Sequence, residues 1–241
     1  MRVSQVTRVA DSGLLARRPK QSPWRRLALW LALLVVGAYA FCLGALSLLR
    51  FVNPVRTMVQ IERAIEARAN GEPERFARQF TPLEAIPVAL QHAVVAAEDG
   101  GFYRHRGIDW AEMRSAWRER HERGRLRGAS TITQQLVKNL FLTTDRSYLR
   151  KGVELLLTPA ADAILGKPRI LELYLNEVEW GPGVWGAAAA AQWHYAKPLE
   201  AITRDEAARL AACLPAPRSR RPQEMGDYAA VIEQRMRQRG W

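Results

Sequence analysis

The longest break in polarity runs from Leu27 to Leu49, 23 residues without a charged side chain. At helical rise this is ~34 Å, enough to cross a hydrocarbon core with some tilt, so the pattern predicts a membrane span and not a buried core helix. A cleaved signal peptide is the rival reading. The run exceeds a usual signal-peptide core and ends in no convincing Ala-x-Ala-like site, which favours an uncleaved anchor. Beyond it, apolar residues return at helical spacing in shorter blocks: Val59 to Ala69, ending at Asn70-Gly71; Pro87 to Ala97; Tyr148 to Ile164; Arg169 to Asn176; Ala187 to Tyr195; and Thr203 to Leu214. Trp110 to Arg127 is charged and amphipathic, with Met113, Ala116 and Trp117 as its main apolar residues. Pro73 and Pro82 mark the connection into the globular part. No window alternates convincingly at a period of two, and repeats are absent, so the pattern predicts a mainly α fold.

One further helix is marked by its start. Ser130 and Thr131 are both good N-caps, and Thr131 with Gln134 has capping-box spacing, which leaves backbone N–H groups aimed outward at a helix end suited to a polyanion. Ile132, Leu136 and Leu140 fall on one face, and Gln134 and Lys138 share a roughly opposite one. The expectation is an apolar core face and a polar face open to ligand.

Charge changes the picture in two ways. The chain of 241 residues carries a formal +12, of which residues 1–26 hold +6: Arg2, Arg8, Arg17, Arg18, Lys20, Arg25 and Arg26 against Asp11. By the positive-inside rule the N-terminus is cytoplasmic and everything after Arg50 lies outside the inner membrane. A basic chain invites a nucleic-acid reading. Half the excess is already explained by topology, however, and an exported domain would not meet DNA or RNA, so anionic lipid and a pyrophosphate-bearing substrate fit better. Cys42 in the span and Cys213 in the domain make no plausible disulfide, and His92, His105, His121 and His194 are scattered, so no metal-ligand cluster is predicted. The expected organisation is a basic tail (1–26), a transmembrane helix (27–49), a juxtamembrane connector (50–82) and a catalytic domain (83–241).

The candidate chemistry lies in ordered motifs. Glu98-Asp99-x-x-Phe102-x-x-His105-x-Gly107 comes first, then Ser130-Thr131-Ile-Thr-Gln134-Gln135-x-x-Lys138-Asn139. Arg146 precedes Arg150-Lys151-x-x-Glu154, and Glu172-Leu-Tyr174-Leu-Asn176 and Gly181-Pro-Gly183-Val-Trp-Gly186 follow. Thr203-Arg-Asp-Glu206-Ala-Ala completes the series. Across roughly residues 85–218 the chain resembles the family 51 glycosyltransferases that polymerise bacterial peptidoglycan from lipid II, in their monofunctional form. The bifunctional members' penicillin-binding set of Ser-x-x-Lys, Ser-x-Asn and Lys-Thr-Gly is not present.

The resemblance implies a lysozyme-like, two-lobed helical catalytic domain on a single N-terminal transmembrane helix, and roles for its motif residues. Glu98, at a helix C-terminus where the dipole raises a carboxyl pKa, would be the general base toward the acceptor hydroxyl. Asp99, Phe102, His105 and Gly107 would shape the motif. Lys138 and Arg146 would hold the departing pyrophosphate. Glu154 would assist through an arginine, a metal or a water. Arg146, Arg150 and Glu154 at i, i+4 and i+8 would form one helical stripe with Lys151 beside it. Arg150, Lys151, Ser130, Gln134, Gln135 and Asn176 join the substrate-binding group. No cofactor is obligatory, with a divalent cation left open. The expected partners are lipid II, the nascent glycan strand and membrane lipid, with cell-wall synthesis or division proteins also possible and nucleic acid excluded. In the resembling enzymes, residues 110–127 correspond to a mobile flap near the membrane. Two other classes stay open: a lytic glycan hydrolase of the same fold, and a non-catalytic inner-membrane scaffold. Where many of those enzymes have Tyr-Phe-Gly-Lys, this chain has His194-Tyr195-Ala196-Lys197, and Ala196 predicts a loop of different shape because alanine resists the left-handed turn.

Overall fold

The computed structural model describes residues 23–123, 128–145 and 147–241. Helix α1, Pro23–Leu49, is long and apolar enough to cross a membrane. Its last residues, from Tyr39 on, belong to the same compact unit as the rest of the chain. Leu46 is fully buried in the core. Arg50 donates to the Ile164 carbonyl at 2.6 Å, and Arg169 donates to the Leu49 and Val52 carbonyls at 2.9 and 3.0 Å, satisfying carbonyls that a helix end leaves free.

Helix α2, Met58–Ala69, starts at a complete capping box in which Thr57 and Gln60 bond reciprocally. The helices that carry the motif residues are α3 (Val88–Glu98), α5 (Ile132–Phe141), α6 (Tyr148–Leu165) and α7 (Lys167–Glu177). Helix α5 packs on α2, α6 and α7, while α3 packs on α9 (Arg204–Cys213) and α10 (Gly226–Gln238). The core is built from the apolar faces that the spacing marks: Leu90 and Val94 on α3, Leu136 on α5, Leu171 and Leu175 on α7. Helix α4, Trp110–Arg123, leaves Trp110 and Trp117 exposed, and residues 124–127 of the segment expected to continue it lie outside the described residues.

Three findings depart from the pattern. A small sheet of order β1-β3-β2 joins Ala77–Arg78, Val184–Trp185 and Glu179–Gly181; strands of two or three residues, wholly buried in β2 and β3, are too short to alternate visibly. Helix α10 did not stand out, although Ala229, Ile232 and Met236 bury one face of it. Ala196 takes the left-handed turn that alanine resists (φ 53, ψ 35) and closes α8, Ala187–Tyr195, by donating to the Gln192 carbonyl. The turn is held by its surroundings, with Lys197 paired to Glu206 at 2.6 Å and Glu206 caught in the Thr203 capping box. That closure overrides a local cost of about 1–2 kcal/mol.

Candidate functional site

Glu98 is the last residue of α3, and Asp99 caps it in a non-helical conformation. The turn that follows is shaped around one carboxylate. Asp99 is buried, accepts the backbone N–H of Ile132 at 3.0 Å and pairs with His105 Nε2 at 2.9 Å. Ile132 opens α5, so Asp99 ties the helix bearing Gln135 and Lys138 to the turn bearing Glu98 and satisfies an orphan donor there. Gly107 (φ +85) lies so close to Thr158 that a Cβ would meet its carbonyl oxygen at 2.9 Å, and the Gly107 carbonyl accepts the Thr131 hydroxyl at 2.5 Å. Phe102 is fully buried beneath the Lys167 ammonium.

Helix α5 has the cap that its sequence announces, with Thr131 as N-cap and Gln134 completing the box. The facing differs from expectation. Gln134 is fully buried and its Oε1 accepts the Thr131 N–H at 2.9 Å, so it is a capping residue closed off from ligand. A helix packed on several sides has no free polar half, and its partly exposed polar positions are Gln135 and Lys138, three apart. Gln135 Nε2 donates to Glu98 Oε2 at 2.7 Å, and the Tyr174 hydroxyl of α7 donates to Gln135 Oε1 at 2.9 Å.

Helix α6 begins at Tyr148 with Ser147 as its N-cap, and Arg150 and Glu154 lie within it as i and i+4. Arg146 lies outside the described residues. Glu154 is buried and clamped from two sides, by Arg150 Nη1 at 2.9 Å and by the Lys151 ammonium. Lys151 also donates to the Ser130 hydroxyl at 3.1 Å, joining the α5 approach to α6. Asn176 must be moved out of the substrate-binding group. It is fully buried, its Oδ1 accepts the Thr81 N–H at 2.7 Å, and its Nδ2 donates to the Thr81 and Glu172 carbonyls, both at 2.8 Å. That side chain pins residue 81 to α7.

Two adjoining cavities meet at this centre. One, of ≈ 570 Å³, is lined by Glu98, Asp99 and Ser130; the other, of ≈ 340 Å³, by Lys138, Asn139 and Thr144; Gln135 lines both. Burial raises the Glu98 carboxyl above its ordinary range, against the opposing pull of the Gln135 bond and the Lys138 charge. Burial likewise lowers the Lys138 ammonium; Glu154 opposes this, Arg150 and Lys151 reinforce it, and Glu98 opposes it. Lys138 thus lies in the electrostatic reach of both acidic candidates. Sequence reasoning missed Tyr174, whose position in an apolar helix reads as core. It also missed Arg235 of α10 and Arg239, which caps that helix; they donate to the Ala96 and Gly100 carbonyls on either side of Glu98, at 3.3 and 3.5 Å.

A carboxylate at a helix end, desolvated and bonded to a neighbouring helix that also carries a lysine, defines an enzyme site of the transglycosylase kind. Residues 64–239 match the family described as transglycosylase, and the chain belongs to that family. It is 42% identical over 198 residues to the biosynthetic peptidoglycan transglycosylase of Pseudomonas aeruginosa, covering 80% of this chain and 85% of that protein. Against the protein of the same name from Stutzerimonas stutzeri the identity is 42% over 220 residues, 90% of this chain and 91% of the relative. For that of Aeromonas hydrophila it is 44% over 193 residues, 80% and 81%.

Proposed function

We propose that this chain is a peptidoglycan glycosyltransferase that polymerises lipid II, transferring the lipid-linked strand to the GlcNAc 4-hydroxyl of an incoming lipid II with inversion and release of undecaprenyl diphosphate. The observation that carries the reading is the junction at Gln135, where the cavity of Glu98 meets the cavity of Lys138. Inverting transfer needs a base on the acceptor side and positive charge where the leaving group departs, and the two cavities supply one each. Glu98 takes the hydroxyl proton as the oxygen attacks the anomeric carbon. Its desolvated carboxylate is a stronger base than an exposed one, which suits the task. Lys138, with Arg146, receives the diphosphate. Glu154, held by Arg150 and Lys151, fixes the cationic wall. A hydrolase acting on finished glycan would have no use for that wall.

The reading extends to a single-pass topology, with residues 1–26 in the cytoplasm and the domain outside the inner membrane. Its support is the apolar α1 together with the basic residues before it. A periplasmic reporter fused after Trp241 should be active and one fused within residues 1–20 silent; the reverse would place the domain away from its substrate. The activity is tested with purified protein and labelled lipid II, scored for polymer. Glu98→Gln keeps size and removes proton acceptance, so polymerisation should fall at least about 100-fold. Near wild-type turnover by the folded variant would sink the assignment.

A further inference from the structure

We propose that Tyr174 is a positioning residue, which locks the Gln135 amide with its nitrogen toward Glu98 and so holds the base in its proton-accepting form; this rests on the assignment of Glu98 as the base. The geometry is a relay of two short bonds. The Tyr174 hydroxyl donates to Gln135 Oε1 at 2.9 Å, and Gln135 Nε2 donates to Glu98 Oε2 at 2.7 Å. An amide presents an acceptor at one end and donors at the other, and nothing intrinsic to glutamine decides which end faces the carboxylate.

Only one orientation serves a base. With its nitrogen toward Glu98, Gln135 stabilises the carboxylate; with its oxygen there, two acceptors would oppose each other unless Glu98 were protonated. The ionised carboxylate draws the nitrogen, and Tyr174, donating to the oxygen at the far end, holds the amide in that orientation. Its ring is fully buried on α7, in an apolar stretch with Leu171, Leu173 and Leu175, so the hydroxyl has a fixed place from which to donate. Burial, with Glu98 and then Asp99 nearby, holds that phenol well above its ordinary range, so it keeps the proton it donates to Gln135. The Gln135 bond in turn pulls Glu98 down against its desolvation. Hydrogen bonds to a charged acceptor polarise along such a chain, so the far hydroxyl matters to the carboxylate that it does not touch.

The reading concerns catalysis and not binding, since Tyr174 is buried away from solvent and reaches Glu98 only through Gln135. Its test is the pH profile of polymerisation by the full-length protein on lipid II. Tyr174→Phe keeps the ring and removes the hydroxyl. The acid limb of kcat/KM should move upward by roughly one pH unit, because Glu98 loses its fixed donor, and kcat near the limb should fall about 10-fold. KM should stay within about twofold. Gln135→Met should move the limb in the same direction, and the double variant should be no worse than Gln135→Met alone, because Tyr174 acts through Gln135.

A wild-type limb in folded Tyr174→Phe, a loss carried in KM with the limb unmoved, or losses that multiply in the double variant would each overturn the relay. If Tyr174→Phe does not fold, Gln135→Met decides, and an unmoved limb there overturns it. Glu98→Gln measured alongside separates the two readings. An active Glu98→Gln removes the base and the relay with it, whereas an inactive one beside a wild-type limb in Tyr174→Phe removes the relay alone.

Discussion

Asn176 offers the sharpest separation between a residue that binds substrate and one that holds the fold. Asn176→Ala removes three hydrogen bonds, one accepted from Thr81 and two donated to the Thr81 and Glu172 carbonyls. The side chain is fully buried, so its removal also leaves a small void. Each lost bond costs about 1 kcal/mol. The Thr81 groups are only part-buried and can regain water, and the Glu172 carbonyl faces the next turn of α7, so the penalties do not all apply in full. A total of about 2–3 kcal/mol follows. For a domain of this size that corresponds to a Tm lower by roughly 5–10 °C. The assay is thermal unfolding in detergent, read beside initial rates on lipid II at a temperature where the variant is folded. Stability should fall while KM stays within about twofold. An unchanged Tm with a severalfold rise in KM would refute the reasoning and return Asn176 to the substrate.

Lys138→Ala should lower polymerisation by at least about 100-fold without lowering Tm, because it removes a cation that burial and the neighbouring Arg150 and Lys151 already disfavour; a folded variant with full activity would refute the diphosphate role. The acid limb of the wild-type kcat/KM profile should lie above the ordinary carboxylate range. Burial raises Glu98, and the rate is lost as pH falls through that raised value, so a limb near pH 4 would contradict the assignment. Ala196→Gly should raise stability by about 0.5–1 kcal/mol in denaturant titrations, since glycine enters the left-handed turn without the strain alanine bears; a neutral or destabilising result would show that the turn is unstrained.

What the sequence disclosed, and what it hid, follows from the range of each interaction. The α5 cap is local: Thr131 and Gln134 are three apart, and their reciprocal bonds can be read from spacing. The facing of α5 is not local. A two-faced wheel assumes solvent on one side, and α5 has α2, α6 and α7 around it, so Gln134 is enclosed and the usable pair shifts to Gln135 and Lys138. Asn176 shows the same limit: a polar residue at the end of an apolar helix suits a ligand as well as a neighbouring backbone, and only the approach of Thr81 decides. Helix α10 was legible in principle, since Ala229, Ile232 and Met236 fall on one face, but it starts at Gly226 without a side-chain cap to mark it.

The local signal and the hidden contacts converge on one turn. At the start of α5, Asp99 holds the Ile132 N–H, Thr131 holds the Gly107 carbonyl, and Lys151 reaches back to Ser130. These bonds fasten the end of α3, the turn after it and the first part of α6 to the same few residues. Catalysis by positioning loses heavily from small displacements, so a base and a cation carried on different helices need such a common reference. Gln135 and Lys138 lie about one and two turns further along the same helix. On the proposed roles of Glu98 and Lys138, Asp99 and Gly107 act as supports that need not touch substrate, because their bonds fix where α5 begins.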